Sequence, residues 1–313
     1  MESEFRKDIV TGDWVLIAAE RGKRPHVPKP RTENYQTPQE CPFEGVKKAL
    51  EVLPNKYPAV TPGVCGPVME HQGYDVAAGV GTHQLIVMRD HEKQLHDFSS
   101  DAMREVISAY RTSYRDIARS DDCAQYIMIF NNYGPEGGAS IYHPHSQIIS
   151  VPVMPPSVMR NIRGSHAYFK KHGTEAHAVM IEREKTAGTR IIFENERFIA
   201  FCPFVSKQPY EIRIYPKFAS AYFDRIEDDD MLPLSEALTT VLKKMHTTLH
   251  DPAYNFFIHT APLRFEEDVT WDVCYRWHIE VIPRVSFDAG FEAGTGIKIN
   301  AVDPDIAAQE LQA

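Results

Sequence analysis

No stretch of this 313-residue chain approaches the roughly 20 consecutive apolar residues a bilayer-spanning helix needs. Membrane spans are therefore not expected. The opening run Met1-Glu2-Ser3-Glu4-Phe5-Arg6-Lys7 lacks the apolar segment of a secretory leader. Cysteine is scarce and odd in number, and Cys41, Cys65, Cys123, Cys202 and Cys274 are widely scattered. That is not a secreted disulfide framework. A reducing cytoplasm is the expected home, with most of these residues serving as small core side chains. Positive charge is also short. With 34 Lys and Arg against 43 Asp and Glu, the net charge is −9, which argues against broad electrostatic binding to nucleic acid or anionic membrane. A local basic cluster remains at Arg21, Lys23 and Arg24; it could guide an anionic ligand, and equally it could be a solvated arm.

What is present is the composition of an ordinary soluble globular protein, 43% hydrophobic and 25% charged, long enough for one large or two modest domains. Residues 25–42, rich in proline and polar side chains, read as an extended arm or crossing loop. Strands are expected near 84–88, 126–130 and 147–151, with a helix over 100–119. Met103, Val106, Ile107, Tyr110, Tyr114 and Ile117 give that helix one buried stripe. Pro152, Pro155 and Pro156 are expected to stop regular structure. The same order recurs in the second half. Strands are expected near 197–201, 211–215, 255–259 and 277–282, with a helix from about 231 whose first turn tolerates Pro233. His143-Pro144-His145 corresponds to Arg276-Trp277-His278 in position and alternation. The fold class expected is α+β, built from a duplicated module with a linker near 155–190.

The most informative segment is Tyr142-His143-Pro144-His145-Ser146-Gln147-Ile148, behind Phe130-Asn131-Asn132-Tyr133-Gly134. Residues two apart on a strand share a face. His143, His145 and Gln147 should then present two imidazoles and a neutral amide together, beside backbone N–H groups of a glycine-rich loop. Such a set can hold a phosphate while an imidazole nitrogen attacks it. His145 is the expected nucleophile, because histidine offers a neutral nitrogen near pH 7 without large tuning. Its other ring nitrogen must donate to a fixed acceptor, such as a nearby backbone carbonyl. Gln147 can hydrogen-bond a phosphate oxygen but cannot act as a strong acid, which favours a persisting covalent intermediate over quick hydrolysis. Asn132, Gly137, Gly138 and Ser140 are the expected donors to phosphate oxygens. The bland readings are a core histidine satisfied by its neighbours and a plain turn.

Cys41, Glu44, His91 and His143 form a candidate metal constellation. Cys41-Pro42-Phe43-Glu44 has the two-residue gap of a metal knuckle, with a carboxylate in place of a second thiolate. Zinc accepts sulfur, nitrogen and oxygen ligands tetrahedrally. A metal here would pin the N-terminal arm to the His143 strand. Spacing equally allows no metal and a solvated Glu44.

These residues together resemble the galactose-1-phosphate uridylyltransferase branch of the histidine-triad (HIT) superfamily, with ADP-glucose phosphorylase-like members most similar. The likeness runs nearly end to end. Arg6-Lys7-Asp8, Thr11, Trp14-Val15 and Lys23-Arg24-Pro25 match the opening segment, Cys41-Pro42-Phe43 the zinc knuckle, and Asn55-Lys56-Tyr57-Pro58 the base- and ribose-binding turn. Phe130 to Gln147 matches the catalytic loop and strand. Tyr254-Asn255, His259-Thr260 and Gly290-Phe291-Glu292 through Asn300 match the C-terminal half. The resemblance implies two tandem HIT-like modules with antiparallel sheets and packed helices, residues 1–155 carrying the catalytic histidine and 156–313 the second module. It implies a covalent nucleotidyl group on His145 steadied by Gln147, where hydrolytic relatives carry a third histidine. Cys41, His91 and His143 fall on zinc-ligand positions, and Glu44 departs from the second cysteine. A second metal site of some members uses histidines where this chain has His278 and then Glu280, and it is not carried over. Members are commonly dimers.

The implied reaction is ping-pong. A nucleoside diphosphate donor gives NMP to His145, and a phosphate-bearing acceptor then attacks the adduct. Arg21 and Arg24 could guide the anions. The run from Gly290 to Gly296, including Phe291 and Glu292, looks like the ADP-glucose phosphorylase version and lacks the lysine-bearing segment of the uridylyltransferases. Adenylyl transfer from an ADP-sugar or adenylylsulfate to phosphate is therefore expected. Uridylyl transfer between UDP-glucose and galactose 1-phosphate is the main competitor. A non-catalytic nucleotide-binding protein and a nucleotide hydrolase are the readings from other classes.

Overall fold

The computed structural model describes residues 3–23, 37–264 and 269–313; Arg24 and most of the expected arm lie outside the described residues. In chain order the strands are β1 (Glu4–Lys7), β2 (Trp14–Ile17), β3 (Leu50–Pro54), β4 (Met69–His71), β5 (Tyr74–Val76), β6 (His83–Met88), β7 (Tyr126–Tyr133), β8 (His145–Val151), β9 (Ile191–Glu194), β10 (Phe198–Phe201), β11 (Ile212–Pro216), β12 (Tyr254–His259), β13 (His278–Pro283) and β14 (Lys298–Asn300). The helices are α1 (Ser100–Ser120), α2 (Pro156–His172), α3 (Ala176–Ala187), α4 (Asp228–Thr248), α5 (Gly290–Thr295) and α6 (Pro304–Gln312).

Nine of these strands form one sheet in the order β3-β6-β8-β7-β12-β13-β11-β10-β9, and the pairings within it are antiparallel. The order β6-β8-β7 repeats as β11-β13-β12, and each half places one long helix, α1 or α4, between equivalent strands. The halves meet edge to edge where β7 pairs β12, from Tyr254 opposite Tyr133 to Ile258 opposite Ile129. This is the two-module α+β arrangement, with neither half leaving its inner strand edge bare.

The apolar stripes read from the sequence explain the packing. Met103, Val106, Ile107, Tyr110, Tyr114 and Ile117 of α1 are buried in the same cluster as Leu234, Leu238, Val241, Leu242 and Met245 of α4. Each such side chain, taken fully from water, contributes about 1.5–3 kcal/mol before ordering entropy is subtracted. Ser99 caps α1 by accepting from the Ala102 N–H, while Asp228, Asp229 and Asp230 place negative charge on the first turn of α4.

The stretch expected as a linker carries two helices, over residues 156–172 and 176–187. β8 does stop at Val151, directly before Pro152, but Pro156 occupies the first helical position. There its fixed φ suits the helix and its missing N–H costs nothing. Pro233 lies inside α4, beyond its first turn. Most of the cysteines are core side chains, as expected. Cys41, Cys202 and Cys274 are buried and free, whereas Cys65 and Cys123 form a disulfide that ties the segment before β4 to the end of α1. Among the described residues, no helix is long and apolar enough to cross a membrane.

Candidate active site

The site begins with strand pairing. In β8, His145 and Gln147 share a face. Gln147 stands opposite Leu85 of β6 and Phe130 of β7. Asn132 continues that face on β7, opposite Asn255 of β12. The neighbouring face is structural: Asn131 donates from Nδ2 to the His145 carbonyl at 2.8 Å, and Tyr110 pairs with Ser146 Oγ at 2.5 Å. These bonds lock the backbone on which His145 stands.

His145 Nδ1 lies 2.8 Å from the carbonyl oxygen of His143. A carbonyl only accepts, so Nδ1 carries the proton, and Nε2 of the neutral ring keeps its lone pair. No hydrogen bond to Nε2 occurs among the described residues, and the residue retains 8% exposure. Burial, with the neighbouring His143 ring adding to it, pushes the His145 pKa below its ordinary value, although the bond to the His143 carbonyl works the other way. The ring is therefore neutral at pH 7, with Phe43 packed beside it, 5.4 Å between ring centroids.

His143 has a different task. It precedes β8 rather than lying in it: Pro144 accepts from the Met88 N–H at 3.2 Å but has no N–H of its own to pair, and the regular strand starts one residue later. His143 Nε2 donates to the Met88 carbonyl, which leaves Nδ1 as a lone pair. That atom sits 3.5 Å from Cys41 Sγ and 3.1 Å from His91 Nδ1. Cys41, His91 and His143 thus converge their ligand atoms in a buried cluster. Glu44 stands at its rim, 53% exposed, with a carboxylate oxygen 3.7 Å from His91 Nδ1. Burial first, and then the Glu44 charge, raise the Cys41 thiol pKa. Sulfur and two imidazole nitrogens facing one another in a protected pocket fit the donor set of zinc.

The glycine loop is built against the second half. Asn255 Nδ2 donates to Asn132 Oδ1 at 2.8 Å and to the Gly137 carbonyl at 2.7 Å. A Cβ on Gly137 would stand 2.7 Å from the Tyr254 carbonyl oxygen, so only glycine lets the loop close on β12. Gly138 adopts φ +81°, a left-handed conformation, and Ser140 is exposed at the loop's end. Asn255, which the sequence offers only as a family match, is the residue that fixes the loop. Its signal in the sequence, an asparagine on a strand in the other half, could not be read without the β7·β12 pairing.

Other expected site residues are placed less centrally. Arg21 lies in the turn Ala19–Lys23, which packs beside Ala301. Phe291 and Glu292 lie on α5, where Glu292 caps its own helix by accepting from the Ala289 N–H at 3.1 Å. Asn55 accepts from the Tyr57 N–H at 2.8 Å and sits beside His83.

The second half carries the same frame with different chemistry. His278 Nδ1 is held by the Arg276 carbonyl at 3.1 Å, as His145 is by His143. In place of Gln147 stands Glu280, and opposite it Arg213 replaces Leu85. Burial opposes ionisation of Glu280, but Arg213 and His259 hold it ionised below the usual carboxylate range. His278 is 1% exposed, against 8% for His145. His259, His278 and Glu280 form a further group able to hold a metal ion.

His177 of α3 packs against His278, 5.6 Å between ring centroids. Burial, reinforced by Arg276, Arg213 and His259, pushes its pKa down to about 3. The unfolded chain therefore binds one more proton than the folded chain between that value and roughly 6.5. Stability is intact above the ordinary histidine pKa and declines as pH falls below it. His177→Phe should reduce the loss of unfolding free energy between pH 7.5 and 5 by about 2 kcal/mol, read from urea midpoints. Equal pH dependence in both proteins would refute the assignment.

The chain is similar to known proteins along nearly its whole length. The family described as a domain of unknown function (DUF4921) matches residues 67–312. ADP-glucose phosphorylase of Arabidopsis thaliana is 31% identical over 99% of this chain and 92% of its own length. Galactose-1-phosphate uridylyltransferase of Thermotoga maritima is 27% identical over 99% of this chain and 98% of its own. Among solved structures, an ADP-glucose phosphorylase from Arabidopsis thaliana with bound ADP-glucose superposes with a TM-score of 0.82 at 29% identity, covering 100% of this chain and 98% of that one. A uridylyltransferase structure reaches 0.79 at 27% identity, covering 99% and 97%.

Proposed function

This chain belongs to the DUF4921 family and to the nucleotidylyltransferase family that holds ADP-glucose phosphorylase and galactose-1-phosphate uridylyltransferase, and on that footing we propose a ping-pong adenylyl transfer through His145. The donor is an ADP-sugar or adenylylsulfate, and the acceptor is phosphate or a phosphate-bearing molecule. The lone pair of His145 Nε2 forms a bond to the α-phosphorus, and the phosphorus–oxygen bond to the leaving sugar phosphate or sulfate breaks with its electron pair. An oxygen of the acceptor then attacks the same phosphorus. The phosphorus–nitrogen bond breaks, and the imidazole returns neutral.

The observation that carries this reading is the Nδ1–H held on the His143 carbonyl at 2.8 Å, which aims an unprotonated Nε2. Gln147, Asn132 and Ser140 are the proposed donors to phosphate oxygens, and Asn55 meets the ribose; the Gly137 and Gly138 N–H groups, expected to join them, donate instead to the Gly134 and Pro135 carbonyls inside the loop. Arg21, Arg24, Phe291 and Glu292 remain proposed contacts for the outer parts of the substrates. Cys41, His91 and His143 would hold zinc, with Glu44 as fourth ligand. The ion would supply a clamp on the Cys41 segment and on His143, not a step of the transfer. We further read the chain as two modules, 1–155 and 156–313, acting as a cytoplasmic homodimer without nucleic-acid or membrane partners.

Intact mass after separate incubation with ADP-glucose, UDP-glucose and adenylylsulfate tests the reaction. ADP-glucose should add one adenylyl group, and inorganic phosphate should remove it. A uridylyl group from UDP-glucose alone would replace this reading with the uridylyltransferase one. Release of AMP without an acceptor would make the protein a hydrolase, and no adduct from any donor would make it a binding protein.

A further inference from the structure

We propose that His83 is a positioning residue for the transfer: it grips the carbonyl end of the Gln147 amide and so turns the NH2 end toward the phosphate on His145. This rests on the transfer reaction proposed above.

The placement follows from register. Leu85 stands opposite Gln147 and His83 opposite Ile149, so His83 is the diagonal neighbour of Gln147 on the same face of the β6·β8 pair. Long side chains reach across that diagonal. The backbone N–H of Ala59 lies 3.1 Å from His83 Nδ1. A backbone N–H only donates, so Nδ1 must be the unprotonated nitrogen, and the proton of the neutral ring sits on Nε2. Nε2 is 2.9 Å from Gln147 Oε1. This fixes which end of the amide faces the imidazole. Were the amide turned round, its NH2 would need an acceptor at Nε2. Both ring nitrogens would then have to accept, which a neutral imidazole cannot do. Asn55 Nδ2, 3.0 Å from the same nitrogen, is a donor facing a donor and takes no part, its Oδ1 being held by the Tyr57 N–H.

A glutamine amide that can turn over would offer a phosphate its oxygen as readily as its NH2, and the oxygen repels. With the oxygen bound to His83, only the donor end is offered. The second half lacks the device. Glu211 precedes Arg213 where His83 precedes Leu85, and Glu280 replaces Gln147, so an ionised carboxylate stands where the amide would turn.

The test is a double-substitution cycle read as the single-turnover rate of adenylylation by ADP-glucose. His83→Ala should slow labelling by about 100-fold at saturating donor. In the Gln147→Ala background the same change should cost less than about threefold, because the amide it orients is gone. His83→Gln, which places an N–H donor near the position of Nε2, should recover most of the rate. Full, independent losses from both substitutions would overturn the inference, since His83 would then act without Gln147. A wild-type chain that takes no label from any donor would refute the transfer reading and this inference with it. For variants that fail to fold, the wild-type protein supplies a second measurement. Nitrogen-15 NMR of labelled histidines should show His83 protonated on Nε2, and the Nδ1–H tautomer would overturn the proposal.

Discussion

His145→Ala should leave no nucleotidyl adduct on the protein and should lower turnover by about 10⁴- to 10⁶-fold, as expected when the covalent nucleophile itself is removed. No neighbouring imidazole can take its place. His143 directs Nδ1 at Cys41 and His91, and His83 is bound to Gln147 and Ala59. The variant should stay folded, because the ring lies at the edge of the core with its side chain against Phe43. Intact mass after ADP-glucose treatment, with a urea midpoint as control for folding, reads both. Turnover within tenfold of wild type in a folded variant would refute the covalent mechanism.

The second large effect concerns the Cys41 cluster. Cobalt substituted for zinc gives a sulfur-to-metal charge-transfer band only where a thiolate is bound, and Cys41 is the sulfur in this group. Wild-type protein should show the band, and Cys41→Ser should lose it. Metal binding at a structural site adds to folding free energy. The substitution, or removal of metal by a chelator, should therefore lower the melting temperature by on the order of 5 °C or more. Adenylylation should fall too. The side chain that would bind the metal and the carbonyl that fixes the His145 tautomer both belong to His143, so a loosened His143 misaims the nucleophile. An unchanged melting temperature together with an absent band in wild type would remove the metal from the account.

Legibility in the sequence varied with the range of the interaction. The buried stripes of α1 and α4, the strand at His145 and the glycine loop could be read directly, because each repeats over a local period or rests on adjacent residues. The helical character of residues 156–187 was masked by Pro152, Pro155 and Pro156, which signal a break equally well whether a loop or a helix follows. Cys65 and Cys123 are 58 residues apart in sequence and gave no sign that they meet. Arg21 was legible as part of a local basic cluster and Phe291 and Glu292 only as family positions, and within one chain none is brought to the β8 face by a hydrogen bond among the described residues.

By itself, then, the amino-acid order determined which residues stand together along the chain at the candidate site. A histidine two residues before a glutamine, behind a glycine loop, has those neighbours wherever the chain goes. The tertiary structure alone decided how each of these groups is held. Nδ1 of His145 finds its acceptor through the turn at Pro144, Gln147 is gripped by a residue 64 positions away, and Asn255 reaches across from the other half to close the loop. The physical reason is directional. A hydrogen bond needs a partner within about 3 Å and in line. For residues distant in sequence, only strand register and sheet order bring that partner into place.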